Sequence, residues 1–395
     1  LIFFTFKELR TPSEAPPRCR ILVAVGTHNN FRSAEPVFSD LPGAAIFTFH
    51  NYATPGVPHL KLFKSYMTGW IALIALPLLL TVERRPHVRR SMRMRLDHLA
   101  LSLSSHHDIR KFMQESGAEV FVTLSNLAVY NNILVEAARQ VGMTTVFMTH
   151  APVGRGQVPL ETDVALLDGE FQKRLYPPGR AKMIVTGSMR GSNLVQAWQD
   201  RSGENGVIVA TNALNRDLGE IERFVEKLLR IDLQPRVVVR PHPADSGRFE
   251  AHRRLCRRTG ADYSDPRSSL FDSAKNCKYL VTGVSGVAVD ALLIGLYPLI
   301  LRDSDLKANC GLPEDYYGLF ELKLARQIDL AAPRLPRDWV IGRELELLEA
   351  ASSPNWSAKE KIAQVLDSIL RGSDAHNVCD GTPKLHDAEG PKGER

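Results

Sequence analysis

The chain has 395 residues, 44% of them hydrophobic and 24% charged, a length beyond one ordinary core with aliphatic content ample for two. Its five cysteines, Cys19, Cys256, Cys277, Cys310 and Cys379, are odd in number, widely spaced and without a Cys-x-x-Cys pair, which argues against a disulfide framework or zinc site and reads as cytosolic thiols. The net charge of +6 suits an anionic partner, but no recognition helix, zinc motif or aromatic-basic strand accompanies it, so nucleic acid is set aside.

In chain order, the stretch from Leu1 to Phe6 has no recognisable signal-peptide layout. A first domain is placed over 18–200. Within it Trp70 to Val82 is almost wholly apolar, yet its 13 residues fall short of the ~20 that a spanning helix needs, and Pro77 interrupts it. Arg84, Arg85, Arg89, Arg90, Arg93 and Arg95 follow, with Met92 and Met94 interleaved. An apolar anchor before a basic stripe suits an anionic membrane surface; a buried helix followed by a solvated one is the alternative. From Ala118 the pattern reads strand, then helix to about Gln140, then strand from Gly142, which leaves Ser125, Asn126 and His150 at carboxyl ends. Thr162 to Asp168 is a further strand, closed by Asp168 and Gly169.

A Gly-containing polar stretch from Asp200 to Gly206 fits a hinge, and a second domain is placed over 206–345. It opens on a strand from Val207 whose loop carries Thr211 and Asn212, followed by a helix from Leu218 to Leu229. The run Val237 to Val239 then stops at Arg240, Pro241, His242 and Pro243. Two prolines fix φ on both sides of His242 and remove two amide donors, so the imidazole leaves a stiff segment and suits a phosphate. Arg240 either supports the strand end or adds a guanidinium beside that phosphate. Asp265 before Pro266 has the form of a helix cap followed by proline at the first helical position. Next, Tyr279 to Thr282 delivers Gly283, Val284, Ser285 and Gly286, a bare-backbone turn before a helix from Val287 to Ile294, so amide donors can face an anion. Asp290 lies one turn inside that helix, where a carboxylate suits ribose hydroxyls. After a strand from Leu299 to Leu301, Asp303 and Asp305 form an Asp-x-Asp read as a loop cap and not as a metal site. A closing helix is placed over 355–371, and 372–395, without a periodic apolar face, is read as a disordered tail.

From Val207 to Leu301 the chain resembles the C-terminal half of GT-B-type glycosyltransferases, where a strand ending in His-Pro and a later small-residue loop hold the donor nucleotide. Bacterial sialyltransferase-like and capsule-polysaccharide transferases are similar, as are CDP-glycerol glycerophosphotransferases and UDP-N-acetylglucosamine 2-epimerases. The resemblance implies an α/β fold of two Rossmann-like parallel-sheet domains facing a cleft, with a C-terminal helix. It implies a cytoplasmic, metal-independent transferase with no cofactor beyond a CMP- or UDP-linked donor. A surface-polysaccharide or lipid-linked acceptor would make contact with the inner membrane face through 70–95 sensible.

In that scheme His242 and the 283–286 amides stabilise the departing phosphate, with Thr211 and Asn212 beside them. Asp168 or His150 takes the acceptor proton, although Leu167 stands where the similar enzymes carry a second acidic residue. Ser125 and Asn126 are candidate acceptor contacts, and Glu161 is a further contact or base. His150, Gly154, Gly156 and Glu161 in that order are also similar to the 2-epimerases. An epimerase, a glycerophosphotransferase and a catalytically silent nucleotide-sugar-binding protein therefore stay open.

Overall fold

The computed structural model describes residues 14–49, 52–61, 76–82, 105–126, 129–189, 205–211, 217–231, 233–243, 245–302, 315–337 and 358–372. The first part runs β1 (Ile21–Val25), α1 (His28–Phe38), β2 (Ala44–Phe49), β3 (His59–Leu60), α2 (Leu76–Val82), α3 (His106–Ser116), β4 (Val120–Thr123), α4 (Val129–Gln140), β5 (Thr144–Met148), β6 (Val164–Leu167), α5 (Glu170–Leu175) and β7 (Lys182–Val185). Its seven strands lie in the order β3-β2-β1-β4-β5-β6-β7, every pair parallel. The second part runs β8 (Gly206–Ala210), α6 (Leu218–Leu229), β9 (Val237–Arg240), α7 (Phe249–Thr259), β10 (Asp262–Tyr263), α8 (Leu270–Ser273), β11 (Cys277–Thr282), α9 (Val287–Leu293), β12 (Tyr297–Arg302) and β13 (Arg326–Asp329), and α10 (Ala358–Leu370) follows. Its six strands, also all parallel, lie in the order β10-β9-β8-β11-β12-β13.

Both sheets are Rossmann-like. In each the chain starts centrally, winds to one edge, then returns across the first strand and winds to the other. Strands buried on both faces read as unbroken apolar runs, which is why β1, β4 and β8 are buried along their whole length. Alternate residues of β1 serve opposite layers. Ile21, Val23 and Val25 pack with Ala34, Val37 and Phe38 of α1, whereas Leu22 and Ala24 pack with Phe112 and Met113 of α3 and Leu134 of α4. In the second sheet Val207 and Val209 meet Phe224 and Leu255, and Ile208 and Ala210 meet Ala291.

The closing helix α10 does not stay with the second sheet. Its Ile362, Val365 and Leu366 are buried in the first domain's core beside Ile21 and Val23. Two further seams join the halves. Phe171 of α5 is buried among Ala288, Val289 and Leu292 of α9, and Gly154 lies so close to Tyr316 that an added Cβ would run into the ring. Arg155 donates a hydrogen bond to the Asp315 carbonyl at 3.0 Å and pairs with Glu321.

One local expectation is corrected. Asp265 and Pro266 do not start a helix; Asp265 Oδ1 accepts from the Arg267 amide at 2.9 Å in a tight turn, and α8 begins at Leu270, capped by Ser269, whose side chain accepts from the Phe271 amide at 3.1 Å. The reason is tertiary: the Arg240 guanidinium takes the carbonyls of Asp265, Pro266 and Ser268 at 3.0, 3.2 and 2.6 Å, groups that a helix there would need for itself. Of the apolar stretch from Trp70 to Val82 only 76–82 is described; it is helical, and Leu78 and Val82 are about two-thirds exposed, at 67% and 69%. Among the described residues no helix is long and apolar enough to cross a membrane. Cys19, Cys256 and Cys277 are free thiols. Asn212, the arginines from Arg84 to Arg95, Asp303, Asp305, Cys310, Cys379, most of the proposed linker and the tail beyond residue 372 lie outside the described residues.

Candidate functional site

The two cassettes of the second domain flank one strand. Ala210 of β8 is in register with Arg240 of β9, and Val209 with Val281 of β11, so all three strands end at one level. Adjacent strands being roughly 4.8 Å apart, the His242 segment and the 283–286 turn leave the same carboxyl edge about 10 Å from each other, with Thr211 between them. This is the point where the strand order reverses, the crevice in which open α/β sheets bind ligands. Thr211 is buried, its amide donates to the Arg240 carbonyl at 3.0 Å, and its Oγ1 accepts from the His242 amide at 3.3 Å, which draws the His242 segment toward the centre.

Burial lowers the His242 pKa from its ordinary value, and the negative charge of Asp245 opposes that shift. The Asp245 amide donates to the His242 carbonyl at 2.9 Å, and its Oδ2 lies 3.2 Å from Nε2 of fully buried His252. Asp245 and His252 went unread in the sequence, where only the spacing from His242 would have pointed to them. In the turn, Gly283 is buried and Val284, Ser285 and Gly286 are partly so. Ser285 Oγ accepts from the Val287 amide at 3.4 Å, and Asp290 sits part-exposed in the first turn of α9. A Cβ on Gly286 would lie 3.2 Å from Pro152 of the first domain. The carboxyl edges of the two sheets therefore face each other.

Arg240 is placed differently from its neighbours. Its guanidinium donates to Ser264, Ser273 and the carbonyls named above, all in the 264–273 loop, so it props the loop beside the crevice.

On the opposing edge Asp168 directly follows β6 and is 4% exposed. Thr149 Oγ1 donates to its Oδ1, Gln172 Nε2 donates to Oδ2 at 3.3 Å, and its own amide donates to Gln172 Oε1 at 2.8 Å, so the carboxylate has a fixed orientation. Burial, then the charges of Asp168 and Tyr316, raise the pKa of the neighbouring Tyr176. His150 follows β5 at the same edge, and its carbonyl accepts from Ser33 Oγ at 3.3 Å. The sequence reading missed Thr149 and Gln172, which carry no motif, and also the loop after β1, where exposed His28 follows Gly26 and Thr27. An apolar pentad ending in glycine before a Thr-capped helix was the available signal there.

Ser125, Asn126 and Glu161 share a second feature. They line one cavity of about 300 Å³ between α4 and the strap from Val158 to Thr162, with Phe147 also in its wall. Thr123 Oγ1 accepts from Asn131 Nδ2 at 2.7 Å and donates to the Ser125 carbonyl at 3.2 Å, which pins the loop that carries Ser125 and Asn126.

No protein-family model and no curated protein sequence matches the chain. Solved structures do match over nearly its whole length. A Listeria monocytogenes structure assigned as a UDP-N-acetylglucosamine 2-epimerase aligns with a TM-score of 0.51 and 11% identity over 90% of this chain and 98% of its own. CalG4, described as the calicheamicin glycosyltransferase, gives 0.49 and 12% over 92% and 97%. The wall teichoic acid polymerase TagF, soaked with CDPG, gives 0.49 and 10% over 91% and 90%. The fold is GT-B-like, two facing Rossmann-like parallel-sheet domains, as in that Listeria structure. In this chain the candidate groups divide between two facing edges, with His242, Thr211 and the 283–286 turn on one and Asp168 and His150 on the other.

Proposed function

We propose that this chain is a glycosyltransferase that moves a sugar from a CMP- or UDP-linked donor to a hydroxyl of a surface-polysaccharide or lipid-linked glycan. The observation that carries the proposal is the convergence of the His242 segment and the 283–286 turn on one carboxyl edge at a strand-order reversal, opposite the oriented Asp168 carboxylate. In this scheme the donor phosphate sits against His242 and the turn amides, and Asp290 accepts from the ribose hydroxyls. As the bond from anomeric carbon to phosphate oxygen breaks, negative charge grows on the phosphate, and each preorganised donor is worth about 2 to 4 kcal/mol at that stage. The acceptor hydroxyl approaches from the first domain, and Asp168, held by Thr149 and Gln172, takes its proton; His150 is the other candidate base. Membrane contact through 70–95 belongs to the same proposal and is supported by the exposure of Leu78 and Val82.

The test is incubation with CMP-, UDP- and CDP-linked sugars and with CDP-glycerol, following which nucleotide is released and whether the sugar is transferred, epimerised or neither. Release of CMP or UDP that is lost in His242→Ala and Asp168→Asn supports the transferase. Epimerised sugar, or release confined to CDP-glycerol, assigns the other chemistry. If no donor is either released or bound, the enzyme proposal is removed.

A further inference from the structure

The cavity in the first domain has a chemical character of its own. Its walls are apolar where they are buried, with Val135 at 6% exposure, Phe147 at 3% and Leu160 at 1%. Thr123, Ser125, Asn126, Asn132 and Thr162 supply neutral polar groups, and Glu161 supplies one exposed carboxylate. Among the described residues its lining contains no Lys or Arg. Arg139 is nearby, but it holds the strap through the Glu161 carbonyl and pairs with Glu136 at 3.0 Å. An anionic ligand would meet a carboxylate and no countercharge. A neutral ligand whose hydroxyls can donate to Glu161 meets no such penalty.

A second observation narrows the class. The amide nitrogen of Asn126, a lining residue, is buried without a hydrogen-bond partner. Leaving such a donor unsatisfied costs stability, which a ligand carbonyl would recover. A turn of the Asn126 side chain would bring that donor to the cavity, next to aliphatic and aromatic wall, in a volume of about 300 Å³ that lies at the small end of ligand sites. A carbonyl bonded to a methyl, carried on a polyhydroxyl ring, matches both features.

We propose that this cavity binds an uncharged N-acylated sugar, the acyl carbonyl accepting from Asn126 Nδ2, the methyl against Phe147 and Val135, and ring hydroxyls on Ser125 and Glu161. That this sugar is the transfer acceptor rests on the glycosyltransferase proposal; its binding does not.

The experiment is saturation-transfer NMR on the full chain with the methyl glycosides of N-acetylglucosamine, N-acetylgalactosamine and glucose. At least one N-acetyl sugar should bind, its acetyl methyl receiving the strongest saturation, and glucose should bind at least tenfold more weakly. Asn126→Ala should weaken the N-acetyl sugar about tenfold. Val158→Trp should block the mouth at a position 45% exposed, where the fold tolerates it. UDP and CMP binding, measured in parallel, should be unchanged in both variants. Equal binding of glucose, no saturation of any sugar, or N-acetyl sugar binding that survives both substitutions overturns the proposal. Loss of nucleotide binding in every form, with sugar binding intact, would instead overturn the transferase and leave the sugar site standing.

Discussion

At His242 two forces oppose each other, and burial prevails over Asp245, so the imidazole gives up its proton more readily than a free one. A phosphate arriving beside it favours the imidazolium, so nucleotide binding takes up a proton. UDP or CMP should therefore bind more tightly as pH falls from about 8 to 6, by no more than tenfold per pH unit. His242→Ala should abolish the part of that slope the nucleotide's own ionisation does not explain, which calorimetry across pH would show. Asp168→Asn should leave nucleotide affinity within about twofold and lower turnover by roughly 10² to 10⁴, the usual span for a lost general base. A drop in both together would place Asp168 in binding instead. At this scale the cassettes were legible because prolines and glycines have backbone meanings that survive without coordinates. Thr149, Gln172 and Asp245 were not, since their roles arise only when distant strand ends meet.

The elements show the same division. The helix from Leu218 to Leu229 and the start of the helix at Val287 stand where periodicity and the Gly-Val-Ser-Gly turn put them. The 264–273 loop stands elsewhere because Arg240, a residue with no local signature of such a role, organises it. Arg240→Ala should destabilise the fold by about 2 to 3 kcal/mol through the loss of charge-assisted bonds to that loop, and should weaken nucleotide binding only as far as the crevice edge loosens. Chemical denaturation alongside nucleotide titration separates the two effects. The buried imidazoles of His59 and His252 add a pH term. Burial is the leading cause of depression in both, so each folded-state pKa lies below the unfolded value near 6.5. Their contribution is complete above that unfolded value and is lost as pH falls through the folded value, where the unfolded chain binds more protons. Melting temperature should therefore fall on going from about pH 7.5 to 5, less steeply in His252→Gln.

Across the whole molecule the strand-rich α/β character was visible in β-branched runs, but the order of the strands was not. A parallel pair such as β1 and β4 joins Ile21 to Val120, and no local pattern encodes a pairing over that separation. Nor was it visible which sheet α10 would cover. Because Ile362, Val365 and Leu366 lie in the first domain's core, each worth about 1.5 to 3 kcal/mol when fully buried, truncation before Ala358 should unfold that domain in preference to the second. Hydrogen exchange would register it as lost protection in β1 and β4. The measurement that goes most directly to the proposed donor site is a titration of the intact chain with UDP and with CMP, repeated with His242→Ala. One of the two nucleotides should bind the native chain and lose at least tenfold in affinity when the imidazole is removed. Equal affinity for that nucleotide with and without His242, or no binding of either to the native chain, would contradict a phosphate site between the His-Pro segment and the glycine turn.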